Sequence, residues 1–203
     1  MLMRNDSKKK LLFFLLCNPN NIRTKYDIAK NVVGCHPSWV IKIFKELEGK
    51  RITEGVKVVD YRKLLEFYRK YFKQFKAVYF YVPNPDSLIK AAEEKKLVFA
   101  VTTYWGESKV SKFLFPSKLE LYIDEMDLIK WTELMPSISG AVGKGNVTLF
   151  LANKDFLDNY SEKMKGFKYG RIVKLPQLAV DLLNEGGAAV QAAEMIIERA
   201  EVG

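Results

Sequence analysis

The spacing of apolar residues changes near residue 77, and this change constrains the fold more than any other feature. Before it, apolar residues recur every three or four positions, as they do on the buried faces of helices. After it, short β-prone runs such as 77–82 and 97–103 alternate with helical segments. The sequence therefore predicts an α+β protein, with a helical N-terminal domain and an α/β C-terminal domain.

The first 59 residues have the stop and start signals of three short helices. The predicted helices are Ser7–Cys17, Lys25–Val32 and His36–Glu48. Thr24 is placed to cap the second helix, and Gly34 ends it with a tight turn. These signals predict a helix-turn-helix over residues 24–51.

The third predicted helix has two chemically different faces. Its apolar stripe, at core-facing spacing, consists of Val40, Ile43, Phe44 and Leu47. The other side carries Ser38, Trp39, Ile41, Lys42 and Lys45. Lysines favour phosphate contacts, whereas residues early in a recognition helix reach base edges. Trp39 has two interpretations of equal weight, a contact to DNA or a filler against the second helix.

Two β-prone runs follow this helix and predict a short hairpin. They are residues 52–53 and 56–59, around a Glu54-Gly55 tip. Lys57 near the tip, with Lys50 and Arg51 at the base, is placed to contact a phosphate backbone. The short acidic tip argues against deep reading of the minor groove.

Residues 7–59 resemble the winged helix-turn-helix family of prokaryotic transcriptional regulators. The resemblance is carried by Thr24-x-x-x-Ile28-Ala29, by Gly34, and by Ser38-x-Val40-x-x-Ile43-Phe44-x-x-Leu47. It implies a domain that reads duplex DNA. The candidate contacts to double-stranded DNA are Arg23, Thr24, Lys25, His36, Ser38, Trp39, Lys42, Lys45, Lys50, Arg51 and Lys57.

The charge of the chain is concentrated in the same region. Residues 1–76 carry 18 Lys and Arg against 7 Asp and Glu, whereas residues 77–203 carry 15 against 17. A basic surface confined to one domain concentrates phosphate affinity there. The alternative is a lysine-rich surface that serves only solubility. The basic excess coincides with the helix-turn-helix, and this coincidence favours DNA binding.

Residues 60–76 predict a basic amphipathic helix that connects the two domains. Its apolar stripe consists of Leu64, Leu65, Tyr68, Tyr71, Phe72 and Phe75. Such a helix can lie on a membrane surface, but an aromatic-rich stripe between domains favours packing, either there or across a homodimer. We therefore expect no membrane partner. Two cysteines make no disulfide framework, so we also expect a cytoplasmic location.

Residues 77–203 predict an α/β regulatory or partner-binding domain with little catalytic potential. The only histidine of the chain is His36, and the glycines around Lys144 lack the Ser or Thr of a phosphate loop. The Asp124, Glu125 and Asp127 cluster matches no metal-binding loop and favours a solvated edge or a contact for a basic partner. We expect no catalytic residue, no metal and no cofactor.

The second half also resembles the AbiEi-type antitoxins of abortive infection systems and related regulators. The resemblance is carried by residues 99–105, 119–123, 175–183 and 191–196, above all by Pro176-Gln177-Leu178-x-x-Asp181-Leu182-Leu183. It implies promoter binding, autorepression and, in some members, neutralisation of a nucleotidyltransferase toxin. The sequence thus predicts a DNA-binding regulator that is not an enzyme, with a toxin-binding antitoxin as the alternative. An enzyme acting on nucleic acid, using Lys118, Glu120 and Asp124, is a third and weaker interpretation.

Overall fold

The structure is a computed structural model that describes residues 2–72 and 75–202. Its residues divide into two compact units. The first unit is Met1–Lys73 together with Met195–Gly203, and the second is Gln74–Glu194. The boundary near residue 74 lies close to the predicted one. The carboxyl end differs from the prediction, because the last nine residues group with the first unit and not with residues 77–194.

The first unit is built from helices and one hairpin. In chain order its elements are α1 (Leu2–Cys17), α2 (Lys25–Asp27) continued by a π-helical segment (Ile28–Val33), α3 (Pro37–Gly49), β1 (Thr53–Glu54), β2 (Lys57–Val58) and α4 (Tyr61–Arg69). The strands β1 and β2 pair in antiparallel register, with Thr53 opposite Val58. Gly55 joins them at a φ of +62°, a conformation that glycine adopts without strain.

Buried aliphatic and aromatic side chains from α1, α3 and α4 form the core of this unit. Its fully buried members include Leu11, Leu12, Leu15, Phe44, Leu47, Leu64 and Tyr68. The helix predicted over residues 60–76 is shorter than expected, since α4 ends at Arg69. The next strand begins at Lys76, and residues 73 and 74 of the predicted helix lie outside the described residues.

The second unit is a seven-stranded mixed sheet with helices on both faces. Its elements are β3 (Lys76–Tyr81), α5 (Pro85–Glu94), β4 (Phe99–Thr102), α6 (Thr103–Val110), β5 (Leu119–Asp124), α7 (Leu128–Leu134), β6 (Ala141–Val142), β7 (Val147–Ala152), α8 (Lys154–Tyr160), β8 (Ser161–Lys163), β9 (Gly170–Val173) and α9 (Leu175–Glu185). The helix α10 (Ala188–Val202) follows and contributes residues to both units. The chain is therefore α+β, as predicted.

The strand order is β6-β3-β7-β5-β4-β9-β8. The pairs β5–β7 and β4–β9 are parallel, and the other neighbours are antiparallel. The short edge strands β6 and β8 were not predicted, because two or three residues carry too little periodicity to be recognised. Gly145, in the loop after β6, packs so closely on the Phe80 carbonyl that a Cβ would collide with it.

The two faces of this sheet differ in chemistry because side chains alternate along each strand. One face joins a wholly apolar cluster with α5 and α7, in which Trp131, Phe99 and Leu121 are almost fully buried. The opposite face carries polar groups, including Thr102 and Glu120, which the register places side by side. The helices α6 and α9 contribute the groups that these polar residues contact.

Candidate nucleic-acid interface

Helix α3 separates its core face from its exposed face as its sequence predicts. Val40, Ile43, Phe44 and Leu47 are at most 1% exposed. At about 3.6 residues per turn, Ser38, Lys42 and Lys45 point away from this stripe, and all three are exposed. Ile41 shares their side of the helix and is 40% exposed.

His36 and Ser38 form the amino-terminal cap of α3. The Nδ1 of His36 accepts a hydrogen bond from the Ser38 backbone N–H at 3.3 Å and lies 2.8 Å from the Ser38 hydroxyl. Pro37 follows at the first helical position, where its missing N–H costs nothing. The cap orders two exposed polar side chains at the end of α3 that enters the major groove in known recognition helices.

The acidic residues of α3 are both held by lysines from neighbouring helices. Lys8 of α1 reaches Glu46 at 2.8 Å, and Lys25 of α2 reaches Glu48 at 2.8 Å. Lys42 and Lys45 make no ion pair with any residue of 2–72 or 75–202. The exposed face of α3 therefore presents positive charge that the described part of the chain leaves uncompensated.

Further uncompensated cations lie at the hairpin. Lys50 and Arg51 follow α3, Lys57 lies in β2, and all three are exposed. None of them forms an ion pair within the described ranges. Arg51 adopts a left-handed backbone with φ of +56°, which turns the chain from α3 into the hairpin.

The candidates before α3 are engaged in contacts within the unit. The Thr24 hydroxyl accepts the Asp27 N–H at 3.1 Å and caps α2, as the sequence predicts. Arg23 forms an exposed ion pair with Asp27 at 3.3 Å. Lys25 is bound to Glu48 and lies 5.0 Å from the Phe44 ring centroid. These three residues therefore offer less free charge than the lysines of α3.

Trp39 is half-buried, which favours its packing interpretation over a contact to DNA. Its indole Nε1 is enclosed and has no hydrogen-bond partner among the described residues. Because this N–H is enclosed, it is not accessible to an acceptor on a base edge or a phosphate.

Among the exposed apolar residues of the first unit, Ile41 lies on the side of α3 that its helical spacing predicts, whereas Ile22 and Tyr26 carried no recognisable sequence signal. Ile22, Tyr26 and Ile41 are 90%, 63% and 40% exposed, respectively. The Lys30 Nζ lies 6.0 Å from the Tyr26 ring centroid, one helical turn away. The exposure of Tyr26 could not be predicted, because an aromatic in a short helix is equally typical of a core.

The two units differ in charge, although by less than residues 1–76 and 77–203 do. The first unit carries 18 Lys and Arg against 9 Asp and Glu, and the second carries 15 against 15. The whole formal charge of +9 therefore lies on the unit that contains α3. The net positive charge that would attract a polyanion therefore belongs to that unit.

A buried polar network occupies the second unit and was not predicted from the sequence. Asp181 of α9 accepts hydrogen bonds from Tyr122 at 2.9 Å, from Gln177 at 2.7 Å and from Thr102. Burial raises the pKa of Asp181 to about 7, against the effect of these three donors. Glu120 accepts a hydrogen bond from Thr103, and burial raises the pKa of its carboxyl as well.

This network joins α9 to the polar face of the sheet. Asp181 is 7% exposed and Glu120 is 5% exposed, so neither carboxyl faces solvent. Two buried carboxyl groups with raised pKa values hold protons more tightly than surface groups do. We therefore expect the contact between α9 and the sheet, made through Asp181, to depend on pH.

The acidic cluster after β5 forms a turn. Asp124 accepts the Met126 N–H at 3.1 Å, and Asp127 forms an ion pair with Lys130 at 2.7 Å. Among the residues that the structure describes, no group of three or more His, Cys, Asp or Glu side chains is arranged to hold a metal ion.

Within residues 2–72 and 75–202, no helix has the length and apolar character needed to cross a bilayer. Comparisons with protein-family models, with curated proteins and with solved structures found no match to this chain.

Proposed function

We propose that this chain binds double-stranded DNA through α3 and the β1–β2 hairpin, and that it acts as a transcriptional regulator. One observation carries the proposal: Lys42 and Lys45 project from the exposed face of α3 and are not neutralised by the described residues. The acidic side chains that could neutralise them, Glu46 and Glu48, are bound to other lysines. When a cationic face neutralises DNA phosphates, the counterions condensed on the DNA are released. This release drives binding.

The order of elements supports a winged helix. Three helices are followed by an antiparallel hairpin, and the third helix is the one with the polar, basic exposed face. In such proteins the third helix enters the major groove, which is wide enough for a helix. Lys57 of the hairpin, with Lys50 and Arg51, then contacts the adjacent backbone.

The exposed polar residues of α3 make two kinds of contact to DNA in this proposal. Lys42 and Lys45 contact phosphates and position the helix, with little effect on sequence preference. Ser38, held against His36 at the helix start, contacts a base edge and contributes to specificity. Trp39 supports the helix from its half-buried position.

The test is a binding measurement on the full chain with two matched double variants. Lys42→Gln with Lys45→Gln should weaken binding to the duplex DNA upstream of the chain's own gene and to duplex DNA of random sequence. Each affinity should fall by about tenfold or more at moderate salt. Lys154→Gln with Lys165→Gln removes the same charge from exposed lysines of the second unit and should leave binding unchanged. Equal losses from the two pairs, or no duplex binding by the unsubstituted chain, would overturn the proposal.

A further inference from the structure

The loop between α6 and β5 exposes two phenylalanines. Phe113 is 47% exposed and Phe115 is 81% exposed, whereas Leu114 between them is 8% exposed. We call residues 111–118 the Phe loop. Two exposed aromatic side chains within three residues are typical of surfaces that bind a partner.

The Phe loop is held in place by hydrogen bonds to a buried carboxylate of the second unit. The Glu107 carboxylate, which is fully buried, accepts the Leu114 N–H at 2.7 Å and the Phe113 N–H at 3.2 Å. It also accepts a hydrogen bond from the Ser111 hydroxyl. A loop held in this way presents Phe113 and Phe115 in a defined position, so binding a partner costs less conformational entropy.

The charge around the two phenylalanines is positive. Lys112 and Lys118 belong to the Phe loop, Lys109 lies just before it, and residues 108–118 contain no acidic residue. Lys118 is paired with Glu185 at 2.7 Å, while Lys112 is exposed and has no ion pair within the described ranges. A complementary surface would be apolar with an acidic rim.

The second unit itself contains such a surface, which we call the acidic turn, residues 124–129. Met126 is 82% exposed and Ile129 is 72% exposed. Around them lie Asp124, Glu125 and Asp127, of which Asp127 is paired with Lys130. Acidic side chains thus surround Met126 and Ile129, whereas lysines surround the two phenylalanines of the Phe loop.

These two surfaces lie at opposite ends of β5, so they do not meet within one molecule. The Phe loop ends where β5 begins at Leu119, and the acidic turn begins at Asp124, where β5 ends. Five residue steps of a strand span about 17 Å. We propose that the Phe loop binds the acidic turn of a second copy of this chain. When each copy contributes both surfaces about a two-fold axis, the contact is made twice and the assembly closes as a dimer.

Sedimentation velocity on the full chain tests this proposal through charge reversal. Lys112→Glu and Glu125→Lys should each abolish the dimer, because each places like charges in both contacts. An equimolar mixture of the two variants should restore it, because the new Glu and the new Lys then face each other while the second contact is native. Phe115→Ala should raise the dissociation constant at least about tenfold, and its exposure means that folding is unaffected.

The matched control is Lys144→Glu, which makes the same charge change at an exposed lysine outside both surfaces and should leave the dimer intact. Four results would each overturn the proposal. They are a monomeric unsubstituted chain at about 0.1 mM, a dimer that survives Phe115→Ala, a mixture of charge-reversed variants that stays monomeric, and oligomers that grow with concentration.

Discussion

The Nζ of Lys25 lies 2.8 Å from Oε1 of Glu48, and this ion pair joins α2 to α3. The same Nζ lies 5.0 Å from the ring centroid of Phe44, which is fully buried. The pair therefore has two effects. It bridges α2 and α3, and it neutralises an acidic charge in the neighbourhood of Lys42 and Lys45.

Glu48→Gln should increase affinity for duplex DNA about twofold to tenfold at low salt. The substitution keeps the size of the side chain but releases the charge of Lys25 for a phosphate. Fluorescence anisotropy with a labelled duplex measures the change. Glu133→Gln, at an exposed position of α7, is the matched control and should leave affinity unchanged. Weaker binding by Glu48→Gln would mean that the bridge between α2 and α3 matters more for binding than the released charge.

Trp39→Ala should lower the free energy of unfolding by about 2 kcal/mol, because it removes a half-buried indole that belongs to α3. Trp39→Phe should cost less than about 1 kcal/mol, since the indole N–H makes no hydrogen bond among the described residues. Urea denaturation measures both variants. If Trp39→Ala leaves stability unchanged and instead reduces the ratio of specific to random DNA binding, Trp39 contacts a base.

The features of α3 could be predicted from its sequence because they are local. A helix repeats every 3.6 residues, so the positions of Val40, Ile43 and Leu47 determine which side is buried and which side presents Lys42. The ion pairs that neutralise Glu46 and Glu48 could not be predicted in this way. Their partners come from other helices, and the sequence alone does not give the packing of those helices.

The pH dependence of stability should reveal the buried Asp181. Its pKa is raised to about 7 by burial, so the folded chain holds a proton that the unfolded chain releases above about pH 4. The stability from this group is therefore present below about pH 4 and is lost as the pH rises to about 7. Asp181→Asn should remove that loss, so that its stability relative to the unsubstituted chain rises between pH 4 and 7.

Urea denaturation at several pH values gives the comparison, and Glu94→Gln, at an exposed position of α5, is the control that should not change the profile. Asparagine can retain the contacts of Asp181, because its amide can donate to the Thr102 hydroxyl while its oxygen accepts from Tyr122 and Gln177. Parallel pH profiles for Asp181→Asn and the unsubstituted chain would contradict the raised pKa.

The Asp181 network could not be predicted from the sequence, for a physical reason. Thr102 and Asp181 are separated by 79 positions, and their contact depends on which face of the sheet α9 covers. In the sequence, Glu120 stands out only as a candidate for catalysis beside Lys118 and Asp124. The register places Glu120 next to Thr102, inside the protein, whereas Asp124 lies at the other end of β5.

The salt dependence of duplex binding tests the central claim most directly. The logarithm of the association constant should fall linearly with the logarithm of salt concentration for the unsubstituted full chain. The Lys42→Gln, Lys45→Gln double variant should give a slope shallower by about 2, because each substitution removes one cation that faces a phosphate. The Lys154→Gln, Lys165→Gln control should keep the original slope. If the α3 double variant has the same slope as the unsubstituted chain, the exposed face of α3 is not the surface that binds DNA.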